Sequence, residues 1–134
     1  MITSFELAYF ISTPINPTDC PTNGDFSLIG IAEDMRGNNY FHNFIITSGI
    51  TVGREVFCIS VTTKFDVKTD NGVPDYDVMG SRTQLVDMIQ IALAHARAFM
   101  FKTASDARVS VGMLEFTHNK DLWEYLNNKD YKLW

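Results

Sequence analysis

The sequence lacks every short motif that commonly marks a catalytic or nucleotide-binding site. It contains no Gly-x-Ser-x-Gly elbow, no Cys-x-x-Cys pair, no His-Glu-x-x-His helix and no glycine-rich phosphate loop. Its only histidines are His42, His95 and His118. On the predicted long helix, His95 and Asp87 are the only candidates for acid–base chemistry, and a histidine on a helix more often serves a surface or an interface. We therefore expect a protein that is not an enzyme and needs no cofactor.

Long uncharged stretches and clusters of basic residues are also absent. Charged side chains such as Arg82 and Lys102 interrupt the one long helical segment, which excludes a membrane-spanning helix. The net charge is -5 and no two basic residues are adjacent, which argues against nucleic-acid binding. Asp70, Asp75 and Asp77 form an acidic segment without the ligand spacing of a calcium loop, so we expect no metal site.

Cysteine is scarce, with Cys20 and Cys58 as its only occurrences. Cys20 lies in a proline-rich connection and Cys58 in an apolar segment, so we expect two reduced thiols, with Cys58 a small buried side chain. The first residues alternate like a strand and lack the basic region, apolar run and cleavage site of a secretory leader. These features together predict a cytoplasmic protein.

The chain nevertheless has enough apolar residues for a substantial core. Of its 134 residues, 46% are hydrophobic, which predicts one folded domain over residues 1–134. The segment from Ser81 to Thr103 contains no glycine or proline and repeats apolar residues at three- and four-residue steps, which predicts a long helix. Ser81 with Gln84 three residues later resembles a capping box, so Ser81 is the predicted N-cap.

Four apolar-rich segments precede that helix and predict four strands, and of these the first alternates in part and the fourth clearly. After the helix, Arg108 to Met113 alternates again, and Asn119 is placed to cap a short helix over Lys120 to Asn127. Strands followed by helices predict the α+β class: a four-stranded antiparallel sheet, a long helix and a short C-terminal helix. The predicted strands are Ser4 to Thr13, Asp25 to Glu33, Tyr40 to Ser48 and Glu55 to Val67.

Aromatic residues are concentrated near the C-terminus. Phe116, Trp123, Tyr125, Tyr131 and Trp134 fall within nineteen residues. In one interpretation these rings cap the sheet and helix as part of the core. In the other they form an exposed groove or an oligomer surface, because a small domain has little room to bury so many rings.

The order of these elements resembles that of the SecB-type protein-export chaperones. That family has four antiparallel strands, a loop, a long helix, an extended segment and a second helix. Residues 40–67 resemble the family's third strand, hairpin and fourth strand. Within them Val56-Phe57-Cys58 resembles an apolar, apolar, Cys triplet, and Phe65 a later Phe.

Two helical motifs extend this resemblance over nearly the whole chain. The run Ile91-Ala92-Leu93-Ala94-His95-Ala96-Arg97 is similar to a family run that ends in Pro-Tyr-Ala-Arg, with Ala94-His95 in place of Pro-Tyr. The run Asn119-Lys120-Asp121-Leu122-Trp123 is similar to the Asn-Phe-Asp-Ala-Leu-Phe start of the family's second helix, with one residue fewer. Common order and spacing, more than any one motif, carry the resemblance.

The departures from the family concern its partner, the SecA motor. Ile59 stands where family members have an acidic residue that helps bind SecA, and Ile11 and Ile15 match acidic positions near the end of the first strand. The family's Gly-Thr-Phe-Pro after the long helix is replaced by residues 105–108, Ser-Asp-Ala-Arg. The resemblance therefore implies a SecB-like fold and holdase activity without docking to SecA.

The resemblance implies a non-catalytic chaperone that binds unfolded, apolar polypeptide segments in an aromatic groove. A small-ligand-binding or accessory α+β domain, which would use the same sheet–helix cleft, is an alternative. A chaperone associated with a toxin–antitoxin pair is another, since the lost acidic positions permit it. The predicted groove residues are Phe26, Phe57, Phe116, Leu122, Trp123, Tyr125 and Leu126.

A homo-oligomer is also expected. The outer side of the long helix is less polar than a solvated helix requires, and the first strand is apolar on one face and partly apolar on the other. In the SecB family helix packing makes dimers and strand contacts join dimers into tetramers, so we expect a dimer at least and a tetramer by resemblance. The predicted interface residues are Phe10, Ala94, Ala98 and Phe101.

Overall fold

A computed structural model describes residues 1–16, 20–21, 26–52, 54–72, 79–107, 118–128 and 132–133. A four-stranded antiparallel sheet is followed by a long helix and a short helix, which confirms the predicted α+β class. No helix in these ranges has the length and apolar character needed to cross a bilayer. The elements are β1 (Ile2–Ile15), β2 (Ser27–Arg36), β3 (Asn39–Val52), β4 (Glu55–Thr69), α1 (Met79–Ala107), α2 (Asn119–Asn127) and β5 (Lys132–Leu133).

The strands lie in the order β1-β4-β3-β2-β5. Tight connections make β2–β3 and β3–β4 antiparallel hairpins, and β1 pairs antiparallel with β4 at one edge. Gly37, with a φ of 63°, occupies the first hairpin turn, where glycine tolerates the left-handed conformation. The short strand β5 joins β2 in parallel and was not predicted. The predicted strand Arg108 to Met113 lies outside the described residues.

The core lies between α1 and one face of the sheet. Because side chains alternate along a strand, Phe44 and Ile46 of β3 and Phe65 of β4 all point toward α1 and are fully buried. The helix contributes a broad stripe of fully buried side chains, among them Leu85 and Leu93. This core therefore uses the apolar periodicity on which the helix prediction rested.

One buried side chain in this core is ionisable. The ring of His42 is fully buried and stacks on the ring of Phe44, with centroids 4.2 Å apart. Burial lowers the pKa of His42 to about 3, because the charged imidazolium loses its hydration there. His42 is therefore neutral at physiological pH.

Ser81 does not cap α1, and this prediction was wrong. The helix already includes Met79, so Ser81 lies inside its first turn. Its side chain is fully buried, and its hydroxyl oxygen accepts a hydrogen bond from the backbone N–H of Ile2 at 3.3 Å. The hydroxyl thus satisfies an amide at the start of β1, a tertiary contact that local sequence does not reveal.

The predicted cap of α2 was also misplaced. His118 occupies the N-cap position, with φ -133° and ψ 146°, and makes no side-chain capping bond. Asn119 is already helical, and its amide donates a hydrogen bond to Asp87 Oδ1 of α1 at 2.6 Å. The polar side chain that resembled a cap instead joins the two helices.

Cys20 and Cys58 form a disulfide, so the prediction of two reduced thiols was wrong. Their Cα atoms lie 6.0 Å apart, within the usual range for a bridge. The carbonyl of Pro21 accepts a hydrogen bond from Gly49 N–H at 2.7 Å, and Gly49 is the register partner of Cys58. Cys20 and Pro21 therefore lie against the end of β3, which brings together cysteines 38 positions apart.

Candidate functional site

The face of the sheet turned away from α1 carries exposed apolar side chains. One row of register partners crosses four strands on this face, and it consists of Ile11, Thr62, Ile45 and Ile29. Ile11 is 53% exposed and Ile29 39% exposed. We call this surface the open face, and it consists of Tyr9, Ile11, Ile29, Ile31, Phe41, Ile45, Thr62 and Lys64.

The only basic side chain of the open face is neutralised within it. Lys64 Nζ lies 2.6 Å from Glu33 Oε1, and this hydrogen bond lowers the pKa of Glu33 and raises that of Lys64. The same ammonium group sits 4.5 Å from the ring centroid of Phe41 and 5.6 Å from that of Tyr9. The charge is therefore held among aromatic rings, and the surface around it remains mainly apolar.

β1 forms an edge of the sheet, since only β4 pairs with it among the described strands. Its other side leaves backbone N–H and C=O groups without a strand partner over much of its 14 residues. Such an edge can accept an extended chain through main-chain hydrogen bonds. It adjoins the open face at Tyr9 and Ile11.

The predicted interface residues lie around this edge and along the outer side of α1. Phe10 is 44% exposed, and its ring stacks on the ring of His95 at 4.0 Å between centroids. Ala94 and Ala98 are exposed one helical turn apart. The side chain of Phe101 lies outside the described part of the chain. The structure thus places Phe10, Ala94 and Ala98 at the surface and leaves their role in assembly a prediction.

Four of the predicted groove residues pack together inside the domain. Leu122 and Leu126 of α2 are buried in the core, and Phe26 is 8% exposed. The ring of Phe26 stacks on that of Tyr125, with centroids 5.7 Å apart. These side chains attach α2 to the core beside α1, so little of their apolar surface is available to a ligand.

The remaining groove residues do not share one surface with them. Phe57 is 44% exposed and lines a separate cleft of about 350 Å³ with Ile15 and Pro14, where the end of β1 meets the start of β4. Trp123 lines a cleft between α1 and α2. Phe116 lies outside the described residues. The predicted groove therefore separates into two clefts and a buried cluster.

The cleft between α1 and α2, which we call the helix cleft, has a volume of about 470 Å³. The Arg82 guanidinium lies over the ring of Trp123, 4.5 Å from its centroid. The Asn119–Asp87 hydrogen bond joins the two helices beside it. The cleft is lined by Arg82, Thr83, Val86, Asn119, Lys120, Trp123 and Glu124.

Most of these surface residues were not predicted, although part of the signal was present. In β1 and β2 apolar residues occupy both strand faces, as Phe10 and Ile11 or Leu28 and Ile29 do, and a strand that buries only one face usually alternates apolar with polar residues. The role of Arg82 had no local signal, because it depends on how α2 docks against α1.

The residues considered for catalysis or metal binding are engaged separately. Asp87 accepts the hydrogen bond from Asn119, whereas His95 Nδ1 lies 3.2 Å from Thr63 Oγ1 and burial lowers the His95 pKa. Asp70 pairs with the amino group of Met1, and Asp75 and Asp77 lie outside the described residues. Within the described ranges no three histidine, cysteine, aspartate or glutamate side chains are grouped as a metal would require.

The sequence matches no protein-family model and no curated protein at a significant level.

Proposed function

We propose that this protein is a SecB-like holdase that binds unfolded, apolar polypeptide segments and acts without the SecA motor. The observation that carries the proposal is the open face, where large apolar side chains on β1 and β2 are 39% to 53% exposed. Contiguous apolar surface of this kind is uncommon on a monomer and usually marks an interaction site.

The mechanism combines apolar burial with main-chain pairing. Isoleucine side chains of the open face would bury apolar side chains of a client, at about 25 cal/mol per Å² of apolar surface removed from water. The edge of β1 would pair with the client backbone, which gives affinity with little dependence on sequence. An unfolded client is long enough to reach the helix cleft as well, where Trp123 would provide a second apolar contact.

The absence of SecA docking in this proposal follows from the chemistry of the open face. Ile11 occupies it where the family resemblance expects an acidic residue, and Ile15 lies at the end of the same strand. Of the acidic residues on this side of the sheet, Glu33 is already paired with Lys64. Non-native polypeptide is therefore the proposed partner, and nucleic acid and membrane are not.

We further propose that the chain forms a dimer or a tetramer. The exposed ring of Phe10 and the exposed alanines Ala94 and Ala98 support contacts through β1 and α1. Client and second copy would then compete for the β1 edge, so assembly would regulate how much of the edge is open.

The disulfide also bears on the cellular compartment, which was predicted to be the cytoplasm partly from two free thiols. The Cys20–Cys58 disulfide removes one of the two reasons for expecting a cytoplasmic protein, the free thiols. Disulfides form and persist mainly in oxidising environments. We therefore favour an oxidising compartment over the cytoplasm.

A small-ligand-binding domain is the second candidate function. The helix cleft favours it, because its volume of about 470 Å³ falls within the range of small-molecule sites. A protein of this kind would show saturable binding of one class of compound and would not prevent aggregation of unrelated proteins.

An aggregation-suppression assay separates the two functions. A chemically denatured client is diluted into buffer with increasing amounts of the protein, and light scattering is followed. A holdase lowers the scattering of several unrelated clients at near-stoichiometric ratios. If scattering is unchanged for every client, the holdase proposal is rejected.

A further inference from the structure

The helix cleft contains a fixed positive charge beside an aromatic ring. The guanidinium of Arg82 stacks on Trp123, and no described carboxylate forms an ion pair with it. Its Nε atom is out of contact with water and has no hydrogen-bond partner among the described residues. A buried, unpaired polar nitrogen is uncommon in native proteins and costs stability. Arg82 is thus held against Trp123 without a counter-charge among the described residues.

A second cation stands at the mouth of the same cleft. Lys120 projects from the first turn of α2 with its side chain 84% exposed, and its nearest acidic group, Glu124, is 3.8 Å away. An exposed pair at that separation contributes little and breaks easily. Lys120 is therefore available to an incoming anion.

The walls between these charges are mainly apolar, and Thr83, Asn119 and Glu124 also line the cleft. Val86, which is 2% exposed, lines the cleft from α1. The half-buried ring of Trp123 lines it from α2. An occupant that fits needs an apolar portion for Trp123 and Val86 and a negative group for Arg82. A carboxylate matches the fork of guanidinium N–H groups better than a neutral amide does.

We propose that the helix cleft selects polypeptide segments in which a carboxylate stands next to an apolar side chain. This inference rests on the proposed holdase function and names its preferred substrate class. The carboxylate of an aspartate or glutamate would pair with Arg82, the neighbouring apolar side chain would pack on Trp123, and Lys120 would attract the segment. The open face, with its paired Lys64, would show no such preference.

Two labelled, unstructured peptides that differ only in charge test this preference. Each carries leucine beside a central residue, which is glutamate in one peptide and glutamine in the other, and binding is measured by fluorescence anisotropy. We expect the glutamate peptide to bind about fivefold more tightly, the upper end for a partly exposed ion pair. The difference should shrink as salt is added, because salt screens exposed charges.

Substitutions assign the preference to the cleft. Arg82→Met keeps the aliphatic stem and should remove the preference while leaving the glutamine peptide's affinity nearly unchanged. Arg36→Met is the matched control, since Arg36 is exposed, is not among the residues that line the cleft and should leave the preference intact. If Arg82→Met fails to fold, Lys120→Met at the exposed site should still reduce the preference about twofold.

The outcomes distinguish this inference from the function on which it rests. Equal binding of both peptides to the wild type overturns the carboxylate preference and leaves the holdase proposal standing. A preference that survives in both Arg82→Met and Lys120→Met also overturns it. Binding of neither peptide, together with no suppression of aggregation, rejects both.

Discussion

The two faces of the sheet carry similar side chains in opposite surroundings. In β3, Ile46 is completely buried beneath α1, whereas across the sheet Ile29 and Ile31 remain 39% exposed. Both groups are β-branched residues that suit strands equally well. The difference lies in the covering element, because α1 packs on one face and none of the described elements packs on the other. Apolar character alone therefore does not distinguish core from exposed surface in this chain.

Substitution of a core ring should give the largest effect on stability. Phe65 is fully buried under α1, and its ring packs edge-on against Phe5 with centroids 5.5 Å apart. Phe65→Ala should lower the free energy of unfolding by about 3–5 kcal/mol. On the open face, Ile31→Thr should change it by only about 0.5 kcal/mol. Urea melts of both variants measure the contrast, and comparable losses would refute the distinction between the faces.

Loss of the disulfide should give the next largest effect. The bridge ties the β1–β2 connection to Cys58 across 38 sequence positions. Its removal should cost about 2–4 kcal/mol, mainly because the unfolded chain gains freedom. Melts of the wild type with and without reductant measure this loss, and a Cys20→Ser/Cys58→Ser variant should match the reduced protein. An identical melt in both conditions would mean that the bridge does not form.

Acid should destabilise the covered face through His42. Its folded pKa of about 3 lies below its unfolded value, so protonation favours the unfolded chain. Stability from neutral His42 is therefore full above pH 6.5 and falls as the pH drops from about 6.5 toward 3. The loss between pH 7 and pH 5 should be about 2 kcal/mol. A His42→Phe variant should show a flatter pH profile over that range, and an unchanged slope would place the pH sensitivity elsewhere.

The edge between the two faces should affect assembly more than stability. Phe10 is exposed on β1 beside His95 and Phe99. Phe10→Glu should reduce the mass of an oligomer by about half, because a buried unpaired charge opposes association. Light scattering during size-exclusion chromatography gives the mass. A wild-type mass near the 15.2 kDa of one chain would reject the oligomer itself.

The sequence predicted the covered face far better than the surfaces. The stripe of apolar residues on α1 and the alternation in β4 are local patterns, and both supply core residues as predicted. Ser81, Asn119 and the cysteines were assigned wrongly because their partners, Ile2, Asp87 and each other, are distant in sequence. Local patterns cannot identify such partners.

The candidate site shows the same limit. Aromatic residues near the C-terminus predicted a groove, yet Leu122 and Leu126 are core residues and only Trp123 lines the helix cleft. Helical spacing alone does not reveal which side of a short helix meets the rest of the core. The stacking of Arg82 on Trp123 depends on how α2 packs beside α1, which local sequence does not reveal.

The most direct test of the proposed open-face binding compares aggregation suppression with thermal stability in one open-face variant. The substitutions Ile29→Thr and Ile31→Thr keep the β-branched shape and remove apolar surface, and Met35→Thr, an exposed position near the end of the same strand, is the matched control. We expect the double variant to melt within a few degrees of the wild type but to lose at least half of its aggregation suppression. The control should keep the melting temperature and the aggregation suppression of the wild type. Full suppression by a folded double variant would contradict the claim that the open face binds polypeptide.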